Sequence, residues 1–242
     1  QKNILEVLKD KNKLDPEVKE YLEQENDYTE YHLKDTKNLQ KKLFDEVKGR
    51  IKLENKIANA YENGQIIAYP TDTVYGIGCN PFNKDSVSRI YDIKNREGEK
   101  RFPILGFSKK ELEKIVEFNT IAEKISEKFW PGQITMLLPI RKEITQRISN
   151  NGKLAVRVPN NECVLSILEK CKLIVGTSAN ISGEKSILDS NECKTKLPEI
   201  DILVNGGKIT SLGESTIIDF VDDQLEVIRE GSISKQDIEK IL

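Results

Sequence analysis

Histidine is nearly absent from this chain of 242 residues: His32 is the only one, and it lies outside the motif-bearing region. Ser-His and Cys-His nucleophilic catalysis needs an imidazole beside the nucleophile, so hydrolase triads are excluded. Cysteine chemistry is equally thin. Cys79, Cys163, Cys171 and Cys193 form no Cys-x-x-Cys pair, which leaves neither a zinc site nor a disulfide framework and makes all four ordinary thiols. The familiar phosphate loops are missing too: there is no Gly-x-x-x-x-Gly-Lys-Ser/Thr and no Gly-x-Gly-x-x-Gly, and Gly206-Gly207-Lys208 runs into Ile209. A nucleotide has to be held some other way. With 38 basic against 40 acidic side chains, a net charge of −2, the chain lacks the basic field of a strong direct nucleic-acid binder. No apolar run approaches the ~20 residues of a membrane span. Gln1-Lys2-Asn3 opens no signal-peptide pattern, so no membrane association and a cytoplasmic location are expected.

What the chain does have is a pair of hydroxyl-rich turns, each following an apolar run. Pro70-Thr71-Asp72-Thr73-Val74-Tyr75-Gly76 comes after Gln65-Ile66-Ile67-Ala68-Tyr69 and before a helix-like segment ending in Lys94-Asn95-Arg96. Gly176-Thr177-Ser178-Ala179-Asn180-Ile181-Ser182-Gly183 comes after Lys172-Leu173-Ile174-Val175. One such turn alone is ordinary turn chemistry, with Asp and Thr bonding their own backbone. Two of them, with a Lys-x-Arg pair, suggest a shared anion-binding pocket.

The composition, 37% hydrophobic and 32% charged, is that of a soluble globular chain with room for one large domain or an ordinary domain with an appendage. Residues 1–50 are dense in Lys, Glu and Asp and nearly free of Gly and Pro. Asp15-Pro16 reads as an N-cap with a first-turn proline, backed by Val18, Tyr21 and Leu22; Leu39, Leu43, Phe44 and Val47 repeat the helical spacing. The expectation is a helical N-terminal extension over 1–50, its apolar stripes packed on the outside of a main domain over 51–242. From Ile51 onward helical and strand patterns alternate, the mark of an α/β domain. Helices are expected at 51–63, 84–94, 109–117, 120–129, 161–170 and 234–241. Strands are expected at 65–69, 103–107, 133–139, 154–158, 172–177, 201–204, 215–220 and 225–229.

The polar residues at strand ends and in the turns after them make one constellation. Thr73, Lys94, Arg96 and Lys100 come from the first half, and Arg157, Ser178, Asn180, Ser186, Ser215 and Arg229 from the second. Arg157 and Arg229 sit inside the apolar runs Leu154–Pro159 and Val227–Gly231. Burying an unpaired guanidinium is costly, so each calls for a partner, and a phosphate or carboxylate supplies one.

Seven landmarks in order, PTDTVYG, KNR followed by Lys100, WPGQIT, AVRVP, TSANISG, ESTIID and IREG, make the chain resemble the YrdC-like threonylcarbamoyl-AMP synthases over about residues 51–242. The resemblance implies an open, twisted mixed sheet with flanking helices around a positive cavity. It also implies a reaction joining L-threonine, bicarbonate and ATP into threonylcarbamoyl-AMP and pyrophosphate, for a downstream threonylcarbamoyl transferase complex acting on tRNA. By resemblance Thr73 and Arg157 would hold threonine. Arg96, Ser178, Asn180, Ser186, Ser215 and Arg229 would serve the nucleotide, with Lys94 and Lys100 adding positive charge where the phosphates lie. No side chain is assigned as acid, base or nucleophile. Magnesium would arrive on the triphosphate, since no clustered carboxylates suggest a protein-built metal cage.

Two positions depart from the family pattern: Lys153 stands where a small hydroxyl residue is expected, and Leu105-Gly106-Phe107 where many members have a histidine. Two other readings stay open at this point. One is an RNA- or nucleotide-binding protein of the same fold without synthase activity, the other a carbamoyl-transfer module acting on a different acceptor.

Overall fold

The computed structural model describes residues 15–96, 101–141, 152–211, 213–221 and 224–242. The chain forms two compact units, Gln1–Lys52 and Leu53–Leu242. In the first unit helix α1 (Pro16–Leu33) begins as its sequence dictates, with the Asp15 side chain accepting from the Glu17 amide and proline in the first turn. A 3-10 turn at Lys34–Thr36 leads into α2 (Lys37–Glu62). Within this unit no residue of α1 is buried.

The second unit layers helices on two sheets. One sheet holds β1 (Ile67–Pro70), β2 (Tyr75–Gly78), β7 (Thr177–Ser178) and β8 (Ile202–Leu203) in the order β7-β2-β1-β8. The other holds β3 (Ile104–Gly106), β4 (Ile134–Pro139), β5 (Lys153–Arg157), β6 (Leu173–Val175), β9 (Thr216–Val221) and β10 (Gln224–Arg229) in the order β10-β9-β4-β5-β3-β6. Both are mixed: β1 runs parallel to β8, β3 to β5 and β4 to β9, while the other pairings are antiparallel. The mixed α/β class with flanking helices is as the sequence implies, with the strands shared between two sheets.

The helices are α3 (Lys84–Ile93), α4 (Lys109–Leu112), α5 (Thr120–Phe129), α6 (Glu162–Cys171), α7 (Ser190–Lys196) and α8 (Lys235–Glu239). Asn83, Asn119 and Asn161 cap α3, α5 and α6, each side chain accepting backbone amides of the first turn. The core between helices and sheets is anchored by Tyr69, Tyr75, Phe102, Ile66 and Ile67, all fully buried. The Tyr75 hydroxyl stays satisfied there, donating to Gly207 O at 2.8 Å and accepting from the Gly206 amide at 2.9 Å.

Three differences from the sequence expectation bear on the site. The run expected as one strand over 172–177 breaks at Gly176, sending β6 to one sheet and β7 to the other. A Cβ on Gly176 would fall 2.4 Å from Leu105 Cγ, so the crossing needs glycine. The tail of the expected 71–76 turn is strand β2, and Gly78 within it lets the sheets meet, since a Cβ there would lie 1.9 Å from Val175 O. Helix α7 was not expected, because Ser190-Asn191-Glu192-Cys193-Lys194-Thr195-Lys196 carries almost no apolar pattern.

Candidate active site

The turn between β1 and β2 is built by Thr71. Its hydroxyl accepts the Thr73 and Val74 amides at 3.1 and 3.2 Å and donates to Val74 O at 2.7 Å. With its one proton spent, Thr71 accepts from the Thr73 hydroxyl at 3.0 Å. Ordinary turn chemistry and a site residue thus coexist in one motif: Thr71 folds the turn, and Thr73 lines a cavity of about 310 Å³.

Arg157, at the end of β5, is the side chain most tightly held around that cavity. Its Nε donates to Gly132 O at 2.8 Å, Nη1 to the Thr73 hydroxyl at 3.2 Å and Nη2 to Asp72 Oδ1 at 2.6 Å. Both partners of the ion pair are nearly enclosed, at 6% and 11% exposure. Burial pushes the guanidinium below its usual value, and the Asp72 carboxylate opposes that push. Asp72 is fixed in turn, its carbonyl accepting from Gln133 Nε2 at 2.8 Å, while its Oδ2 is buried with no hydrogen-bond partner. The WPGQIT landmark therefore works as scaffold, with Gly132 holding the arginine and Gln133 the turn.

The opposite wall is assembled by the sheet-switching segment. Ser178, in β7, is brought beside β2, where Ala179 N donates to Tyr75 O at 2.7 Å. Behind it stands Lys94, 1% exposed, whose Nζ donates to Ser178 O at 2.5 Å, Asn180 O at 2.6 Å and Asn180 Oδ1 at 3.3 Å. Burial first, and the neighbouring Arg96 second, pull the Lys94 ammonium down to about 8. Arg96 faces the cavity, its guanidinium over the Phe102 ring at 5.1 Å and its Nη2 donating to Arg101 O at 3.3 Å. At the rim Arg229 is ion-paired with Glu214 and donates to Ser215 O at 2.8 Å. Glu214 also accepts from the Ser186 hydroxyl at 2.5 Å, and the Ser215 hydroxyl meets Thr135 Oγ1 at 2.9 Å.

The cavity thus brings together Thr73, Arg96, Arg157, Ser178, Ser215 and Arg229. Lys94, Asn180 and Ser186 stand behind its lining: Lys94 and Asn180 brace the 178–180 turn, and Ser186 holds Glu214. Lys100 lies outside the described residues. Sequence reading missed Asp72, Arg101, Thr135 and Glu214, each next to or inside a landmark that signalled the region without marking the residue. Of the two departures, Lys153 lines the cavity but commits its ammonium to Asp219 Oδ1 at 2.6 Å and Phe220 O at 2.8 Å. Leu105 lines it with an apolar side chain. Among the described residues no group of His, Cys, Asp and Glu could hold a metal ion, and no helix is long and apolar enough to cross a membrane.

Comparison with known proteins follows the same boundaries. The Sua5/YciO/YrdC family model, described as telomere recombination, matches residues 59–231. A model for the prolyl oligopeptidase N-terminal β-propeller domain matches residues 6–73, a stretch that is mostly helical in its described part. Threonylcarbamoyl-AMP synthase of Pyrococcus abyssi is 32% identical over 190 residues, covering 76% of this chain and 56% of that protein. The putative threonylcarbamoyl-AMP synthase of Methanocaldococcus jannaschii is 35% identical over 205 residues, covering 76% of this chain and 97% of that protein. The chain therefore spans about half the length of the P. abyssi relative and nearly all of the M. jannaschii one. Among solved structures, P. abyssi Sua5 complexed with L-threonine superposes with a TM-score of 0.74 at 32% identity, covering 78% of this chain and 58% of that one. Escherichia coli YciO gives 0.72 at 26% identity, covering 77% and 93%.

Proposed function

The chain belongs to the Sua5/YciO/YrdC family, and from that premise we infer that it is an L-threonylcarbamoyladenylate synthase. In this reading it is a nucleotidyltransferase that makes threonylcarbamoyl-AMP and pyrophosphate from L-threonine, bicarbonate and ATP. The product would pass to a threonylcarbamoyl transferase complex acting on tRNA, in the cytoplasm. The observation that carries the reading is the convergence of Thr73, Arg96, Arg157, Ser178, Ser215 and Arg229, from both halves of the sequence, on one cavity.

The geometry suits catalysis by positioning and charge neutralisation. Three of the five guanidinium N–H groups of Arg157 are spent on Gly132, Thr73 and Asp72, leaving two for the carboxylate of threonine beside the Thr73 hydroxyl. Threonine's own amine, once deprotonated, attacks the bicarbonate carbon, one C–O bond of which breaks to release water as the carbamate forms, and a carbamate oxygen then attacks the α-phosphate as pyrophosphate leaves. The charge that builds there is met by Arg96 and Arg229, with hydroxyl donors from Ser178 and Ser215. Lys94 and Asn180 position Ser178, Ser186 positions Glu214, and Lys100 is assigned to the phosphates by resemblance alone. Magnesium would enter on the triphosphate as part of the substrate; among the described residues the one carboxylate lining the cavity, Glu214, is engaged by Arg229 and Ser186.

The test is pyrophosphate release that requires threonine and bicarbonate together. ATP binding without such release would favour a nucleotide-binding protein of the same fold. Release driven by a different acceptor would favour a carbamoyl-transfer module.

A further inference from the structure

We propose that Lys153 selects the base of the nucleotide: the end of the cavity remote from Arg157 is a seat for a purine ring, and the Lys153 ammonium makes that seat prefer a 6-oxopurine over adenine. The inference rests on the reading that this cavity takes a nucleoside triphosphate.

The six-stranded sheet meets the cavity in zones. Side chains two apart on a strand share a face, so β5 presents Arg157, Ala155 and Lys153 to the cavity, and β4 presents Thr135 and Leu137. Beyond Ser215, β9 adds Ile217. Arg157, Thr135 and Ser215 form a polar end, Ala155, Leu137 and Ile217 form an apolar middle, and Lys153 stands past it. Arg157 and Lys153 are four residues apart, roughly 13 Å along the strand. A bulge in β10 widens the apolar zone: the register shifts between Val227 and Arg229, and Ile228 and Arg229, adjacent in sequence, both line the cavity.

This order distributes the parts of a nucleotide. Phosphates belong with the guanidiniums, because over Ala155, Leu137 and Ile217 they would lose water and gain no donor. A purine ring, apolar on its faces, suits that floor. Its polar edge then reaches Lys153. This side chain is 28% exposed and held in place, its Nζ donating to Asp219 Oδ1 at 2.6 Å and to Phe220 O at 2.8 Å. An ammonium has three N–H donors and no acceptor, so one N–H is left for the cavity, and it can meet only an acceptor. Asp219 is not among the cavity-lining residues, and its Oδ1 also accepts from the Phe220 amide at 2.7 Å. Guanine and hypoxanthine offer O6 beside N7, two acceptors, whereas adenine offers N7 beside its N6 amino donor. A side chain that only donates favours the oxo edge. The α-phosphate chemistry is the same with either base.

The experiment is calorimetric titration of the full chain with the magnesium complexes of ATP and of ITP, which differ at position 6 of the purine, and of tripolyphosphate. Circular dichroism verifies the fold of each variant. The parent is expected to bind ITP about tenfold more tightly than ATP. Lys153→Gln supplies an acceptor as well as donors and is expected to reverse that order, while Lys153→Arg is expected to keep it. Should Lys153→Gln fail to fold, the preference of the parent and its retention in Lys153→Arg decide. A parent that binds ATP as tightly as ITP overturns the proposal. So does an ITP-to-ATP ratio unchanged in Lys153→Gln, including an equal loss of both, which would put Lys153 on the phosphates. Tripolyphosphate binding as tight as that of ITP removes the base seat. Binding of none of the three overturns the nucleotide reading of the cavity and this inference with it. An ITP preference that depends on Lys153, without threonine-dependent pyrophosphate release, supports the inference and overturns the synthase reading alone.

Discussion

Arg157 and Arg229 reach the same cavity from the same sheet, and they are held in opposite ways. Arg157 is enclosed with Asp72 and meets three protein acceptors. Arg229, at 42% exposure, pairs with a Glu214 that is 37% exposed. The inner cation is fixed by the protein itself, while the rim cation holds a half-exposed partner, one that in the proposed reaction it would exchange for a phosphate. Burial is what separates them: water screens and competes at the rim and does neither inside.

The sharpest way to break the comparison is Arg157→Ala. Removing one partner of a buried pair costs about 3–5 kcal/mol, because the remaining charge is left uncompensated. Here the cost falls on Asp72, whose Oδ2 already lacks a partner. Urea unfolding should show a loss of that size, with threonine-dependent turnover abolished. Pairing Arg157→Met with Asp72→Leu should recover most of the stability and none of the activity, separating the pair's structural role from its role in binding.

Arg96→Ala comes next. Its guanidinium faces the cavity and stacks on Phe102, so the fold should survive while adenylate formation falls. A charge-assisted contact of this kind contributes about 1.5–3 kcal/mol, or roughly one to two decades in rate. Near-normal pyrophosphate release from the folded variant would remove Arg96 from the proposed phosphate site.

How legible this was follows from what each residue does. PTDTVYG announced a site because hydroxyls cluster there, but its last residues are strand β2, hidden by Gly76 and Gly78, which carry no strand propensity. The sheet switch at Gly176 was invisible because apolar residues on both sides read as one strand. Arg157 could be picked out, since a guanidinium in an apolar run needs a partner. Asp72 could not, since an Asp in a turn reads as turn chemistry. Lys94 and Arg96, two residues apart, look alike in sequence. Only their packing makes one a brace behind the wall and the other part of it.

Lys94 gives the comparison a pH dependence. The folded chain holds its ammonium down to about 8, against an ordinary 10.5. Between those values the unfolded chain keeps a proton that the folded chain has released, so this group's contribution to stability rises with pH across that window. It is complete above the unfolded value and lost as pH falls through about 8. The slope it adds is at most about 1.4 kcal/mol per pH unit for one proton. Denaturation of the parent and Lys94→Met between pH 7.5 and 10 should show the steeper rise in the parent. Parallel curves would mean that Lys94 titrates as an ordinary lysine.

The smallest effect on stability belongs to the rim. Glu214→Gln removes the charge that Arg229 now holds and weakens the acceptor for Ser186, while keeping side-chain shape. Exposed ion pairs contribute about 0–1 kcal/mol, so the unfolding midpoint should scarcely move. Nucleotide affinity should move the other way from a simple loss of contact, because Arg229 no longer has to leave a carboxylate before it meets a phosphate. A calorimetric titration is expected to give tighter ATP binding by a few-fold, with the gain shrinking as salt rises. Weaker binding in Glu214→Gln would place Glu214 among the groups that recognise the nucleotide, and the rim would then be as preset as the inner wall.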